Sequence, residues 1–257
     1  MLDIGLEPTA HGPPLLLFSM GAFVVSVAGV ALEGLRAGMA RAGFPLERQL
    51  RISRRVGAAL AAWFLLLATS TVSGLYLDQR SPRFSLYALP ALLSVVALFR
   101  ARWLRSVVQA IPEWWIPALQ TLRLGGGAAL FAGWSIGLAP WGLVRTAGPG
   151  DVLVGVGAAA VALALARGVA GARTLALGWN VLGLLDILHT IFRAATSAPG
   201  PQRLFFEEPA NRIPAVFPFV YLPGFIVPLT ILLHLLSLRQ LRGLASERPQ
   251  AAATPSS

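Results

Sequence analysis

The sequence contains no cysteine, so it offers no disulfide framework, no thiolate metal site and no cysteine nucleophile. Lysine is absent too, and all 21 basic residues are arginine. Charge of either sign is scarce, at 12% of the chain, where soluble domains carry about 25%. The motifs H-E-x-x-H, G-x-S-x-G and the P-loop do not occur, nor do carboxylates at metal-binding spacing, so no enzyme class is supported by a motif. No metal site is expected, and catalysis is not the leading reading.

What the chain has instead is apolar length. Residues of the AVILMFWYC class make up 56% of its 257 residues, and the mean hydropathy is +0.68. The runs are too long for soluble helices, which makes this a polytopic membrane protein of all-α class. A sequence pI near 11.6 would suit a nucleic-acid partner, but the arginines lie in short loops between apolar runs, a pattern of membrane topology. No nucleic-acid partner is expected; the bilayer is.

A helix needs about 20 apolar residues to cross the hydrocarbon core. On that measure seven spans are expected, at 14–35, 56–77, 84–100, 114–138, 151–168, 174–194 and 214–238. Residues 1–13, with Asp3 and Glu7, form an extracytoplasmic leader unlike a signal peptide. Residues 239–257 form a cytoplasmic tail expected to be disordered. Fourteen arginines fall on one side of the seven spans, six of them in the 36–55 loop, and six fall on the other. That asymmetry predicts the N-terminus outside and the C-terminus in the cytoplasm, in the inner membrane. The stretch RWLRSVVQAIPEWW reads as a short helix lying at the interface.

Small residues supply candidate packing faces: Gly133 and Gly137 in the fourth span, and Ala158, Ala162 and Ala166 in the fifth. They fit packing within one bundle, or a homo-oligomer. Asp151, in AGPGDVLVG, reads as the cap of the fifth helix. In the last span Pro223 and Pro228 cannot donate backbone hydrogen bonds and free the carbonyls of Phe219 and Gly224. Pro223, Gly224 and Pro228 are therefore a candidate hinge, the alternative being a static kink.

The candidate site lies in the fourth and sixth spans, where Gln120, Arg123, Asn180, Asp186 and His189 would be buried in lipid. Counting depth along each helix at about 1.5 Å per residue matches Arg123 with Asp186 and Gln120 with Asn180. His189 falls one turn beyond Asp186. A lone arginine or aspartate at mid-bilayer is penalised by roughly 2.5–3.5 kcal/mol, so these groups should face each other between neighbouring helices. Two readings stand: a proton- or ligand-handling cluster, and a static clamp fixing helix register. No cofactor is expected; a haem shared by His189 and His234 is disfavoured because their depths differ by roughly 15 Å.

The pieces QTLRLGG, AGPGD, GWNVLGLLD, SAPGPQ and FPFVYLPGFIVPLTILLHLLSL resemble an uncharacterised family of bacterial integral membrane proteins, over about residues 110–238. The resemblance implies a membrane helical fold and no known activity. The expectation is a transporter or channel for a small solute or ion. Its alternatives are an accessory or sensory protein with a structural clamp, or an enzyme acting on a lipid, quinone or haem.

Overall fold

Within lipid, backbone amides have no water to bond, so long apolar runs satisfy them internally as helix. The computed structural model describes residues 12–77 and 85–251, with side chains over 12–77 and 92–242. Nine α-helices are found among the described residues: α1 (Pro14–Arg41), α2 (Leu46–Val72), α3 (Ser85–Arg100), α4 (Arg102–Ala110), α5 (Trp115–Leu119), α6 (Arg123–Ser135), α7 (Trp141–Ala166), α8 (Ala172–Ser197) and α9 (Val227–Ala251). A 3₁₀ turn at Gln120–Leu122 joins α5 to α6, and a π-helical turn at Leu222–Ile226 leads into α9.

Among the described residues, five helices are long and apolar enough to cross a membrane: α1, α2, α7, α8 and the last, counted from Leu222 to Arg242. The other two expected spans are shorter units. α3 has 16 residues, and the expected 114–138 span is divided by the 3₁₀ turn into α5 and α6. The fifth expected span begins ten residues early, because α7 runs through Pro149 from Trp141. Gly-Pro-Gly reads locally as a break, yet α7 continues through it, and Gly148 packs so near Phe131 that a Cβ there would come within 2.8 Å of the ring. The last helix starts at 222 rather than 214, and continues to Ala251 where a disordered tail was expected. Most of the expected leader, residues 1–11, lies outside the described residues.

The last helix is the axis of the bundle. It is buried over 61% of its apolar stretch, against 11% to 33% for the other four long helices. Its first half and the segment before it pack with α1, α2, α6 and α7 through Phe219, Phe225, Leu67, Val24, Leu130 and Leu143. Further on, Leu232, Leu233 and Leu236 meet Val95, Ile116 and the apolar face of α4, where Leu104, Val107 and Val108 are buried. Beyond the expected end, Arg239 donates to the Phe99 carbonyl at 2.6 Å, and Gln240 donates to the carbonyls of Val108 and Ile111, both at 2.7 Å. Those carbonyls end α3 and α4, where the helix itself supplies no partner. The tail residues therefore close off two helix ends.

Small residues set the spacing elsewhere. A Cβ on Gly127 would lie 3.0 Å from the Gly148 carbonyl oxygen, so α6 and α7 meet nearly backbone to backbone. The glycines of the expected G-x-x-x-G pair separate in role. Gly133 packs against Ile213 and Phe219, whereas Gly137 adopts φ +75° and ends α6, with Leu138 N–H bonded to the Gly133 carbonyl at 2.8 Å. After α8, loop 198–212 folds back on that helix. Arg193 lies 3.6 Å from the centre of the Phe205 ring, and Glu207 accepts from the Gly142 amide at 2.6 Å at the start of α7. In the same loop the hydrogen bond from Arg203 holds the Glu208 carboxyl below the usual range.

At the proline-rich entry to α9, both freed carbonyls have donors. Phe219 accepts from Leu222 N–H at 2.9 Å, and Gly224 accepts from the Trp63 indole at 2.9 Å. Tyr221 donates to the Phe64 carbonyl at 3.1 Å, and a Cβ on Gly224 would come within 2.8 Å of Leu67. The π turn is thus fastened to α2. Trp63→Phe strands the Gly224 carbonyl inside the bundle, and should lower the unfolding free energy by about 1–3 kcal/mol, read as a lower thermal midpoint in mild detergent. An unchanged midpoint would show that the indole bond holds nothing.

Candidate functional site

Arg123 opens α6, directly after the 3₁₀ turn, and its side chain is 1% exposed. An isolated guanidinium could not remain in such a place. Three acceptors surround it. Nε donates to Asp151 Oδ1 at 2.7 Å and NH1 to the Gly183 carbonyl at 3.1 Å, while NH2 is bonded to Asp186 Oδ2 and lies 2.6 Å from Asp151 Oδ1. One cation is shared by two carboxylates, from α7 and α8.

The helices reach this geometry because glycine stands wherever a side chain would intervene. A Cβ on Gly150 would collide with the Asp186 carboxylate, and one on Gly126 would touch Asp151 at 3.6 Å. Asp186 is the more open of the two acids, with 18% of its side chain exposed against 9% for Asp151.

A second polar layer adjoins the first through Gly183. The face of Gly183 is covered by the His234 ring, which a Cβ there would strike. His234 Nδ1 is 2.9 Å from Asn180 Oδ1, and the Asn180 amide nitrogen is 2.8 Å from the Ala176 carbonyl and 2.9 Å from Ser237 Oγ. Trp179 packs beside it with ring centres 5.0 Å apart. Thr230, His234 and Ser237 follow at four- and three-residue steps on α9 and are all buried. Gln120 bonds the Thr230 carbonyl at 2.9 Å.

Among the residues expected from the sequence, Arg123 and Asp186 are thus in contact, and Gln120 and Asn180 are both fully buried. The expected Gln120–Asn180 pair is not formed. Each reaches α9 instead, because that helix lies where the two were expected to meet. His189 stands apart from the buried groups: it is exposed, one turn past Asp186. Pro223 and Gly224 lie in the π turn and Pro228 at the start of α9, and none of them makes part of this layer.

Three participants were not read from the sequence. Asp151 was assigned to a helix start, but it is the eleventh residue of α7, too far inside to cap it. Gly183 carries no side chain to draw notice, although the step Asn180, Gly183, Asp186 marks one stripe. His234 was weighed only as a haem ligand; the enclosed His234 and the exposed His189 share no site. The polar spacing 230, 234, 237 on an otherwise apolar helix was the available signal.

The model of a domain of unknown function, DUF8737, matches residues 84–242. The chain belongs to that family. No curated protein and no solved structure matches it. The DUF8737 stretch contains every residue of both polar layers, together with α3 and α4, and leaves α1 and α2 outside.

Removing the cation should be the most damaging change in the cluster. Arg123→Leu strands two buried carboxylates and should reduce stability by about 3–5 kcal/mol, whereas Asp186→Asn retains an acceptor and should reduce it far less. Denaturant unfolding of the detergent-solubilised variants measures both. Equal effects would mean that the shared geometry does not govern stability.

Proposed function

We propose that this chain is a seven-span inner-membrane protein, N-terminus outside, whose polar interior holds a proton and couples it to the passage of a small solute or ion. In this reading residues 115–135 cross as one unit with the 3₁₀ turn counted in, since 21 residues reach about 30 Å. The 16-residue α3 spans a locally thinned bilayer.

The carrying observation is the imbalance of charge around Arg123. One guanidinium neutralises one carboxylate, and the structure gives it two. A surplus negative charge in a low-dielectric interior is strongly disfavoured, so the unit is neutral only when it also holds a proton or a small cation. A static clamp would need no second acid. Asp186 is the more open of the two acids and His189 follows one turn nearer the end of α8, so proton entry is assigned to that end of the helix. The buried fastenings around Gly224 favour a static π turn over a hinge, so movement is assigned to side chains in the cluster.

Infrared spectroscopy of the lipid-embedded protein at neutral pH should reveal the carbonyl stretch of one buried carboxylic acid. It should vanish in both Asp151→Asn and Asp186→Asn, because each leaves a balanced pair. A wild-type spectrum without that band would sink the proposal. Orientation is testable on the cysteine-free background: an impermeant maleimide applied outside should label Leu204→Cys in intact cells, and Glu47→Cys only after permeabilisation. The reverse pattern would overturn the assigned topology.

A further inference from the structure

The second polar layer contains a group that the first does not use. Asn180 fixes the state of His234. The Ala176 carbonyl can only accept, so the amide nitrogen of Asn180 must face it, at 2.8 Å. Its oxygen then faces His234 Nδ1, at 2.9 Å. Nδ1 is therefore the nitrogen that carries hydrogen, and it donates to Asn180. In the neutral ring that leaves Nε2 with a bare lone pair. Nε2 is buried and has no hydrogen-bond partner among the described residues.

That nitrogen adjoins the Arg123 cluster through Gly183. A Cβ on Gly183 would lie 2.5 Å from Nε2, so the nitrogen rests on the Gly183 backbone, and the Gly183 carbonyl accepts from Arg123 at 3.1 Å. Asn180, Gly183 and Asp186 form one stripe of α8, so the ring lies against its middle, at a position one helical turn along α8 from Asp186. The charged group bearing on it is Arg123 from α6, whose own partners are Asp151 from α7 and Asp186 from α8, with His189 one turn further along α8. Gln120, Asn180, Trp179 and Ser237 supply only neutral neighbours.

We propose that His234 Nε2 is the acceptor to which the proton of the Arg123–Asp151–Asp186 cluster passes, a second station deeper in the bundle; this rests on the reading that the cluster holds one proton. In the step the carboxylic O–H bond breaks and an N–H bond forms at Nε2. The acid becomes carboxylate and the imidazole becomes imidazolium, with Nδ1–H still donating to Asn180. Before transfer the unit holds one cation, one carboxylate, one neutral acid and one neutral imidazole. Afterwards it holds two cations and two carboxylates. Both arrangements are neutral overall, so the proton moves without leaving net charge buried in low dielectric. Gly183 is required because any side chain there would occupy the place of the ring.

The test is nitrogen NMR of the full chain in lipid with ¹⁵N-labelled histidine, the His234 signals being assigned by their loss in His234→Gln. Nδ1 should appear protonated. Nε2 in the wild type should resonate between its bare and protonated limits, and shift to the bare limit in Asp151→Asn and in Asp186→Asn. A bare Nδ1 in the wild type, a measurement that needs no variant, would overturn the proposal. So would an Nε2 signal identical in all three proteins. If the infrared acid band is present while Nε2 stays unmoved, the transfer step alone fails. If the band is missing and Nε2 is bare as well, the reading beneath it fails.

Discussion

A guanidinium shut away from water must find its acceptors inside the protein, and Arg123 imposes that condition on this bundle. Its three acceptors come from two different helices, one of them a main-chain carbonyl. Satisfying all three sets the height of α7 and α8 against α6. The glycines follow as a consequence. Gly127 on α6, Gly148 and Gly150 on α7, and Gly183 on α8 stand where carboxylate, ring or backbone comes too near for a Cβ. In lipid, where apolar surface gives helices little reason to associate, close backbone contact and buried polar bonds supply the cohesion.

The last helix turns this three-helix arrangement into an enclosed interior. It carries Thr230, His234 and Ser237 into the space beside α8, and Gln240 and Arg239 to the open ends of α4 and α3. The extent of the DUF8737 match follows the same physical unit, from α3 to residue 242. α1 and α2 pack outside it. They are nonetheless fastened to it, since Trp63 and the Phe64 carbonyl engage the π turn and Phe23 covers Gly125.

How far the site could be read from residues alone varied with the regularity of the helix that carries each one. Arg123 and Asp186 could be matched because an unpaired charge at mid-bilayer depth is untenable, and because the break before Arg123 is only a three-residue 3₁₀ turn. Asp151 was misread for a local reason: Gly148-Pro149-Gly150 signals a break, whereas α7 continues through it and its glycines serve the close approach of Phe131 and Asp186. Gln120 and Asn180 were set against each other because two helices were considered; the third, α9, takes both bonds. His189 looked equivalent to Asp186 by spacing, but its bearing on α8 carries it to the exposed side. The tail looked too polar to pack, yet its first residues bond helix ends that no local pattern identifies.

Composition and apolar run length alone dictated helix and membrane, because a backbone in lipid must bond within its own segment and a charge there must be answered. Those rules act on single segments and are readable along the chain. Which acceptor answers which donor is set by the approach of segments far apart in sequence. Position 151 meets position 123, and position 234 meets position 180, only once helices have packed. Folding therefore decided that the arginine serves two acids rather than one, and that a histidine with a free nitrogen rests beside them.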